Sequence, residues 1–294
     1  MAPRTPKLQA SPTATLATAA LLLVLALTAA TTAAQNCGCA ASQCCSRYGY
    51  CGTGTDYCGT GCQSGPCDVP QTNNVSVASI VTPAFFDALL AQASDNCEAH
   101  GFYTRDAFLA AAGYHPSFGR TGSVDDSKRE IAAFFGNANH ETIKLTTRAL
   151  FSPEILAEFC YINEINGPSK NYCDASNTQW PCQEGKGYYG RGPLQLSWNY
   201  NYGPAGQSIG FDGLGDPDAV ARSAVVAFRA ALWFWMNSVH DALVSGGGFG
   251  ATIRAINGGL ECDGKNPAAV SSRVGYYEQF CQDFGVDPGS NLTC

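Results

Sequence analysis

The sequence predicts a mostly helical domain preceded by a small disulfide-rich domain. Eight cysteines crowd into residues 37–67, and so short a stretch depends on disulfides in place of a hydrophobic core. Beyond residue 78, apolar side chains recur at helical spacing and strand-like alternation is scarce. The polar segment 68–78 has no periodic pattern and predicts a linker. The two domains are therefore expected at 35–67 and 79–294.

Residues 1–34 have the features of a secretory signal peptide. Arg4 and Lys7 precede an apolar run over 16–28, and small residues end at Ala34. A membrane anchor is the alternative, but a span needs about 20 apolar residues and threonines interrupt this run. The fifteen cysteines of the chain agree with an oxidising compartment. We therefore expect a secreted protein with no membrane association.

The acidic composition argues against two classes of partner. The formal net charge is -7 at pH 7, which disfavours nucleic acids and anionic membranes. Such a surface suits a neutral polymer, for example a polysaccharide.

The cysteine-rich domain carries side chains suited to sugars. It is too small to bury Tyr48, Tyr50 and Tyr57 together, and Ser46 adds a hydroxyl. Exposed rings on a rigid scaffold can pack against the apolar face of a pyranose with little loss of side-chain entropy. The alternative is that the tyrosines only cover the disulfides. Eight cysteines allow 105 connectivities, so sequence alone leaves the pairing open.

The second domain contains helix-length patterns separated by irregular segments, the longest over 163–212. Ser127 and Glu130 fit a capping box that opens one of the helices. Helices are expected at 82–93, 104–112, 126–139, 219–236 and 273–284.

Glu141 is the first candidate catalytic residue. It lies two helical turns after Phe134 and so on the same apolar face. A carboxylate in that position is costly unless it is paired, neutralised or used, and it suits a general acid. The alternative is a structural glutamate paired with Arg129 or Arg191.

Glu164 is the second candidate. It lies amid Asn163 and Asn166, four residues after Cys160, and polar neighbours should keep it ionised, as a general base must be. Two carboxylates in contrasting surroundings are typical of the acid/base pair of a glycosidase. The segment 188–203 mixes amides, hydroxyls and rings as a sugar-binding cleft does, although an aromatic-rich loop is the alternative.

No metal or cofactor is expected. His140 and Glu141 begin a zinc-protease pattern, but that pattern needs a histidine at position 144, which is Lys144.

The segment 37–59, with Cys-Cys-Ser-Arg-Tyr-Gly-Tyr-Cys at 44–51, resembles the hevein-type chitin-binding domains. The resemblance implies that N-acetylglucosamine oligomers bind to Ser46, Tyr48, Tyr50 and Tyr57. It also implies four disulfides, Cys37–Cys45, Cys39–Cys51, Cys44–Cys58 and Cys62–Cys67.

The second domain resembles the family 19 chitinases of plants, closest to those with a short hevein-like domain. The resemblance rests on motifs at 102–105, 128–135, 140–142, 190–197, 231–235 and 253–259. It implies a lysozyme-like, two-lobed helical fold in which Glu141 is the general acid and Glu164 the general base. Ser197 would help to hold the attacking water.

The same resemblance implies further site residues and disulfides. The substrate cleft would be lined by Gln195, Tyr200, Asn201, Asn257 and Arg273, with Trp180 on a subsite wall. The disulfides would be Cys97–Cys160, Cys173–Cys182 and Cys262–Cys294, leaving Cys281 unpaired.

Together with the signal peptide, the resemblance predicts a monomeric endochitinase, secreted to the apoplast, that cleaves β-1,4-linked N-acetylglucosamine polymers with inversion. The resemblance also implies a role in defence against chitin-containing organisms. Chitin and its oligomers are the expected partners. Residues 143–158, between the two glutamates, depart from the family pattern, and Pro153 interrupts any helix there. That departure leaves open a chitin-binding, lectin-like protein with an inactive glycosidase domain, whereas retention of both glutamates favours the enzyme.

Overall fold

The structure is a computed structural model that describes residues 37–46, 49–59, 62, 64–67, 72–91, 93, 95–143 and 159–294. The chain divides into two compact units, Met1–Val69 and Pro70–Cys294. The predicted signal peptide, Tyr48 and the segment 144–158 lie outside the described residues.

The first unit is organised around disulfides. Strands β1 (Cys44–Cys45) and β2 (Cys51–Gly52) pair antiparallel, and helix α1 (Thr55–Cys58) follows them. Both cysteines of β1 are buried, so sulfur fills the place of an apolar core. The disulfides are the four pairs that the hevein resemblance implies, Cys37–Cys45, Cys39–Cys51, Cys44–Cys58 and Cys62–Cys67.

The second unit is built from helices. Two π-helical turns cover Trp235–Val239 and Leu243–Gly247, and a 3-10 turn covers Gly167–Ser169. Among the described residues, no helix combines the length and the apolar character needed to cross a membrane. The helices are α2 (Val77–Ile80), α3 (Pro83–Leu90), α4 (Arg105–Ala112), α5 (Val124–Thr142), α6 (Asn199–Ile209), α7 (Ala219–Arg222), α8 (Ala224–Phe234), α9 (His240–Ala242), α10 (Gly248–Glu261) and α11 (Pro267–Asp283).

Residues 72–78, expected to form the end of the linker, are anchored on this second unit. Thr72 forms a β-bridge with Thr121. The Asn73 amide donates to the Gly122 carbonyl at 2.9 Å and to the Ser127 hydroxyl at 2.9 Å. Contacts with the second unit therefore begin, among the described residues, at Thr72, seven positions before the predicted start of the domain at 79.

Helix α5 is the central element of the second unit. The Ser123 hydroxyl accepts a hydrogen bond from the amide of Asp126 at 3.1 Å, and the Asp126 carboxylate accepts from the amide of Ser123 at 2.9 Å. This reciprocal pair forms the capping box that opens the helix. The predicted capping box of Ser127 and Glu130 is therefore wrong, because the helix begins one turn earlier.

Glu130 is a buried hydrogen-bond acceptor, with 1% of the residue exposed. It accepts from the Gly119 amide at 2.8 Å and from Trp235 Nε1 at 3.0 Å, and it lies 2.5 Å from His240 Nδ1. Burial opposes the charged form of His240, but the hydrogen bond and charge of Glu130 raise the pKa of that imidazole above its usual value. These partners offset the desolvation cost of the carboxylate.

An aromatic cluster forms the core between α3, α4, α5 and α8. The Phe108 ring lies 4.8 Å from Phe135 and 5.5 Å from Phe228, measured between ring centroids. Phe86 packs edge-on against Phe135 at 6.1 Å. Tilted and edge-on contacts are the favourable geometries for aromatic pairs, and they fix how α5 lies against its neighbours.

Helix α11 packs closely along α5. A Cβ atom at Gly136 would lie 3.1 Å from the backbone nitrogen of Tyr277, so any larger residue would crowd this approach. The contact brings Arg273 of α11 beside Glu141 in the last turn of α5. The packing of these two helices therefore positions the first candidate glutamate.

Two helices of more than ten residues occur where the sequence predicts none. Helix α6 lies inside the stretch 163–212, which was expected to be irregular, and it contains Pro204. Helix α10 contains four glycines in its sequence and a kink at Asn257. Both sequences have poor helix propensity, so packing against the rest of the unit must supply the stability.

Candidate active site

One cleft of about 640 Å³ contains both candidate glutamates. Glu141 comes from the last turn of α5, and Glu164 from the segment that follows Cys160. Their side chains are 19% and 20% exposed, so both reach the cleft from partly buried positions. A larger groove of about 1460 Å³, between α2, α3 and α11, contains neither of them. The smaller cleft is therefore the candidate active site.

Glu141 is held by Arg273. The Arg273 Nη2 atom donates to Glu141 Oε1 at 2.5 Å. The same guanidinium donates twice to Glu261, at 2.7 and 2.8 Å, and once to Asn137 at 3.1 Å. Burial opposes the charge on Arg273, but the Glu141 and Glu261 carboxylates raise its pKa. A guanidinium fixed by these partners thus fixes one oxygen of Glu141.

The sequence named the wrong arginines as partners of Glu141. Arg129 pairs with Asp126 and Arg191 pairs with Asp218. Arg273 was itself expected on the cleft surface, but its side chain is only 1% exposed and lies behind Glu141. The reason is helix packing, which joins residues 132 positions apart.

Glu164 accepts three hydrogen bonds. Lys170 Nζ donates to its Oε1 at 2.5 Å, the Tyr172 hydroxyl to its Oε1 at 2.9 Å, and the Gly190 amide to its Oε2 at 3.1 Å. Burial alone would raise the pKa of Glu164, but the bonds from Lys170, Gly190 and Tyr172 lower it below its usual value. The group is therefore ionised at neutral pH, in the state that a general base requires.

Ser197 and four of the six expected substrate-binding residues line the cleft. The Ser197 hydroxyl donates to the Gln195 carbonyl at 2.9 Å, and the Asn201 amide donates to the Ser197 carbonyl at 2.9 Å. The four residues are Gln195, Tyr200, Asn201 and Asn257.

Trp180 does not lie among the residues that line this cleft. Its ring covers Gly203 of α6, where an added Cβ would lie 2.3 Å from the indole. Its carbonyl accepts from the Asn199 amide at 2.6 Å. Trp180 therefore supports α6 from the side.

Sequence reasoning missed four residues that build the site. Trp198 stacks on Tyr200 with centroids 5.6 Å apart, and Tyr172 packs edge-on against Trp198 at 5.2 Å. Trp198 lies within the segment 188–203, and the aromatic-rich composition of that segment could have identified Trp198 as a site residue. Lys170 and Glu261 carry no periodic signal, because irregular turns of the chain bring them to Glu164 and Arg273, six and twelve positions away. The missed residues are Lys170, Tyr172, Trp198 and Glu261.

The backbone of this segment adopts an unusual conformation at two cleft residues. Gln195 has φ 48° and Trp198 has φ 76°. Few residues other than glycine adopt positive φ, and such residues cluster at functional sites. The turns place the side chains of Ser197 and Tyr200 toward one cleft.

In the first unit, Tyr50 offers the most accessible of the described candidate rings. It is 57% exposed. Tyr57 packs over Gly52, where a Cβ would meet its ring at 2.4 Å. Ser46 is 3% exposed, and its hydroxyl accepts from the Tyr50 amide at 3.2 Å. Tyr48 lies outside the described residues.

These features define a helical domain with two carboxylates in one polar cleft, attached to a disulfide-stapled unit. Residues 80–246 and 238–294 match the glycoside hydrolase family 19 described as chitinase class I, and residues 30–67 match the chitin recognition proteins. The chain belongs to the family 19 chitinases and carries a chitin-recognition domain near its N-terminus.

Named relatives support this assignment over most of the chain. "Chitinase 6" of Oryza sativa subsp. japonica is 77% identical over 233 residues, which cover 79% of this chain and 81% of that protein. "Endochitinase B" of Zea mays is 55% identical over 278 residues, or 93% of each chain.

A solved structure is similar to most of this chain. The family GH19, class IV chitinase from Zea mays is 56% identical, with a TM-score of 0.65, and the match covers 74% of this chain and 98% of that one. The predicted fold class, a lysozyme-like helical domain after a small disulfide-rich one, is confirmed.

Proposed function

We propose that this chain is a secreted endochitinase that hydrolyses β-1,4-linked N-acetylglucosamine polymers with inversion at the anomeric carbon. One observation carries the proposal: a single cleft presents Glu141 and Glu164 together, from two different segments of the chain. Its partners are chitin and chitin oligomers. We expect it to act as a monomer without a cofactor, in defence against chitin-containing organisms.

Glu141 acts as the general acid in this proposal. Its Oε1 is occupied by Arg273, whereas its Oε2 has no hydrogen-bond partner among the described residues. That oxygen is the one available to the glycosidic oxygen of a bound sugar. Proton transfer to the leaving group from a positioned carboxyl is what a general acid supplies.

Glu164 acts as the general base. Its lowered pKa keeps it ionised and able to take a proton from water. Ser197, on the same cleft wall, helps to hold that water. Water enters from the face opposite the leaving group, so the reaction is a single displacement that inverts the configuration.

The remaining cleft residues grip the polymer. Tyr200, 37% exposed and stacked on Trp198, offers a ring for an apolar sugar face. Gln195, Asn201 and Asn257 offer amides for hydroxyl and N-acetyl groups. The chitin-recognition unit anchors the enzyme to insoluble substrate through Tyr50, with Tyr48, Tyr57 and Ser46.

Secretion to the apoplast is part of the proposal. Residues 1–34 have the sequence of a signal peptide. Seven disulfides suit an oxidising compartment.

Hydrolysis of a soluble N-acetylglucosamine oligomer is expected to release the α-anomer first. Inversion requires room for a water, which corresponds to carboxyl groups about 6.5–9.5 Å apart. Proton NMR in the first minutes, before mutarotation, measures the anomer formed. An initial β-anomer would contradict single displacement. Oligomer binding with no hydrolysis would favour the inactive, lectin-like alternative.

Tyr50→Ala is expected to weaken adsorption to insoluble chitin by about fivefold to tenfold, the loss of roughly 1 kcal/mol of ring burial. Cleavage of short soluble oligomers should be unchanged, because the ring lies outside the catalytic cleft. Tyr114→Ala is the matched control: Tyr114 is 62% exposed and packs under Arg229 in the second unit. An equal loss of soluble-oligomer cleavage in Tyr50→Ala would exclude a purely anchoring role.

A further inference from the structure

A carboxylate outside the cleft holds the backbone that carries Glu164. We propose that Glu98 is a positioning residue for Glu164, an inference that rests on the proposed role of Glu164 as general base. Glu98 follows Cys97, and the Cys97–Cys160 disulfide brings it to the segment that enters the cleft.

The Glu98 carboxylate accepts three hydrogen bonds from the two residues directly before Glu164. Its Oε2 accepts from the amides of Ile162 and Asn163, both at 3.0 Å. Its Oε1 accepts from the Asn163 side-chain amide at 2.5 Å. One side chain thus fixes two successive peptide units next to the base.

All five backbone amides from position 160 to 164 have acceptors elsewhere in the chain. Cys160 and Tyr161 donate to the Thr142 carbonyl, at 3.0 and 3.1 Å, and Glu164 donates to the Gly190 carbonyl at 2.8 Å. The two amides between them depend on Glu98. The Glu98 carboxylate accepts from the amides of Ile162 and Asn163 as the carbonyl groups of a neighbouring strand would.

The chemistry of a carboxylate suits this task. An ionised carboxylate only accepts, has about four lone-pair sites, and forms stronger hydrogen bonds to amides than a neutral group does. Glutamine keeps one oxygen for the two backbone amides, and Asn163 can rotate its own amide to face the new NH2 group. An alanine side chain has no hydrogen-bond acceptor, so the backbone amides of Ile162 and Asn163 would lose their partner.

Loss of this contact should affect the chemical step more than binding. A general base must lie within hydrogen-bond reach of the proton that it removes, and a displacement of about 1 Å can cost about 10²-fold in rate. The sugar-binding side chains Gln195, Tyr200, Asn201 and Asn257 come from other segments. We therefore expect kcat to fall while KM changes little.

The test compares Glu98→Ala, Glu98→Gln and Asp95→Ala by steady-state kinetics on a soluble chitin oligomer. Asp95 lies in the same turn, its side chain is 97% exposed, and it pairs with His100 at 3.4 Å. Glu98→Ala should lower kcat about 10- to 100-fold with KM within about threefold. The kcat of Glu98→Gln should stay within about threefold of the wild-type value, and the kcat of Asp95→Ala should equal the wild-type value. Wild-type kcat in Glu98→Ala would overturn the proposal.

Amide hydrogen exchange gives a second readout that needs no activity. In Glu98→Ala the amides of Ile162 and Asn163 should exchange faster, while Cys160 and Tyr161 keep their protection. Lower kcat with unchanged protection at 162–163 would overturn the positioning role. Should Glu98→Ala not fold, Glu98→Gln decides: retained kcat with retained protection supports the proposal, and full kcat with lost protection overturns it. If the wild-type protein hydrolysed no oligomer, the proposed function would be wrong. Amide hydrogen exchange would still test whether Glu98 holds the amides of Ile162 and Asn163.

Discussion

Glu141→Gln is expected to lower kcat for chitin oligomers by about 10²–10⁴-fold, the usual contribution of a general acid. Glutamine keeps the shape of the side chain and an oxygen that can accept from Arg273, so the cleft should persist. It cannot donate a proton to the leaving oxygen with the ease of a carboxyl. KM and adsorption to insoluble chitin should change little, because neither depends on that proton.

The measurement is release of reducing ends, with circular dichroism to verify the fold. Glu278→Gln is the matched control, since Glu278 is exposed on the same α11 helix that carries Arg273 and lies outside the cleft. Turnover close to wild type in Glu141→Gln would remove Glu141 from the mechanism. Loss of both turnover and chitin adsorption would point to misfolding.

Arg273→Met is expected to lower the free energy of unfolding by about 3–5 kcal/mol, the typical effect of removing one partner from a buried ion pair. Glu261, 4% exposed, would lose two hydrogen bonds and keep a buried charge. Glu141 would lose its anchor at the same time, so hydrolysis should also fall. Urea denaturation followed by circular dichroism measures the stability.

Two further variants separate buried charge from lost packing. Arg254→Met removes an exposed pair with Asp263 and should leave stability unchanged within error. Arg273→Met combined with Glu261→Leu should be more stable than Arg273→Met alone, because no unpaired charge remains in the interior. Similar stability for Arg273→Met and wild type would contradict the structural role assigned to this guanidinium.

The elements predictable from sequence are those whose signal is local. The apolar stripe of α5 predicted a helix over 126–139, inside the observed Val124–Thr142. The same stripe placed Glu141 at its inward end. The polar neighbours Asn163 and Asn166 led to the prediction of an ionised Glu164, but the groups that lower its pKa are Lys170, Gly190 and Tyr172.

The remaining features depend on partners far along the chain. Glu130 looked like a capping residue because its acceptor role needs Trp235 and His240, more than a hundred positions away. Helices α6 and α10 were missed because proline and glycine lower the local propensity that packing then overrides. The family resemblance predicted that Arg273 lines the cleft. Its burial depends on the packing of α11 against α5, which the sequence does not show.

The hydrogen bonds that join Thr142 to Cys160 and Tyr161 have a consequence for residues 143–158, which depart from the family sequence pattern. The Thr142 carbonyl receives both Cys160 and Tyr161, so the chain leaves and returns at one place. The Cys97–Cys160 bridge spans a sequence separation of 63, and the entropy of closing such a ring grows only with the logarithm of its length. Removing the fifteen residues 144–158 would change that entropy by about 0.2 kcal/mol. In terms of ring-closure entropy, the length of sequence between Thr142 and Cys160 is therefore nearly free to vary, so related genes can differ in length here at little cost.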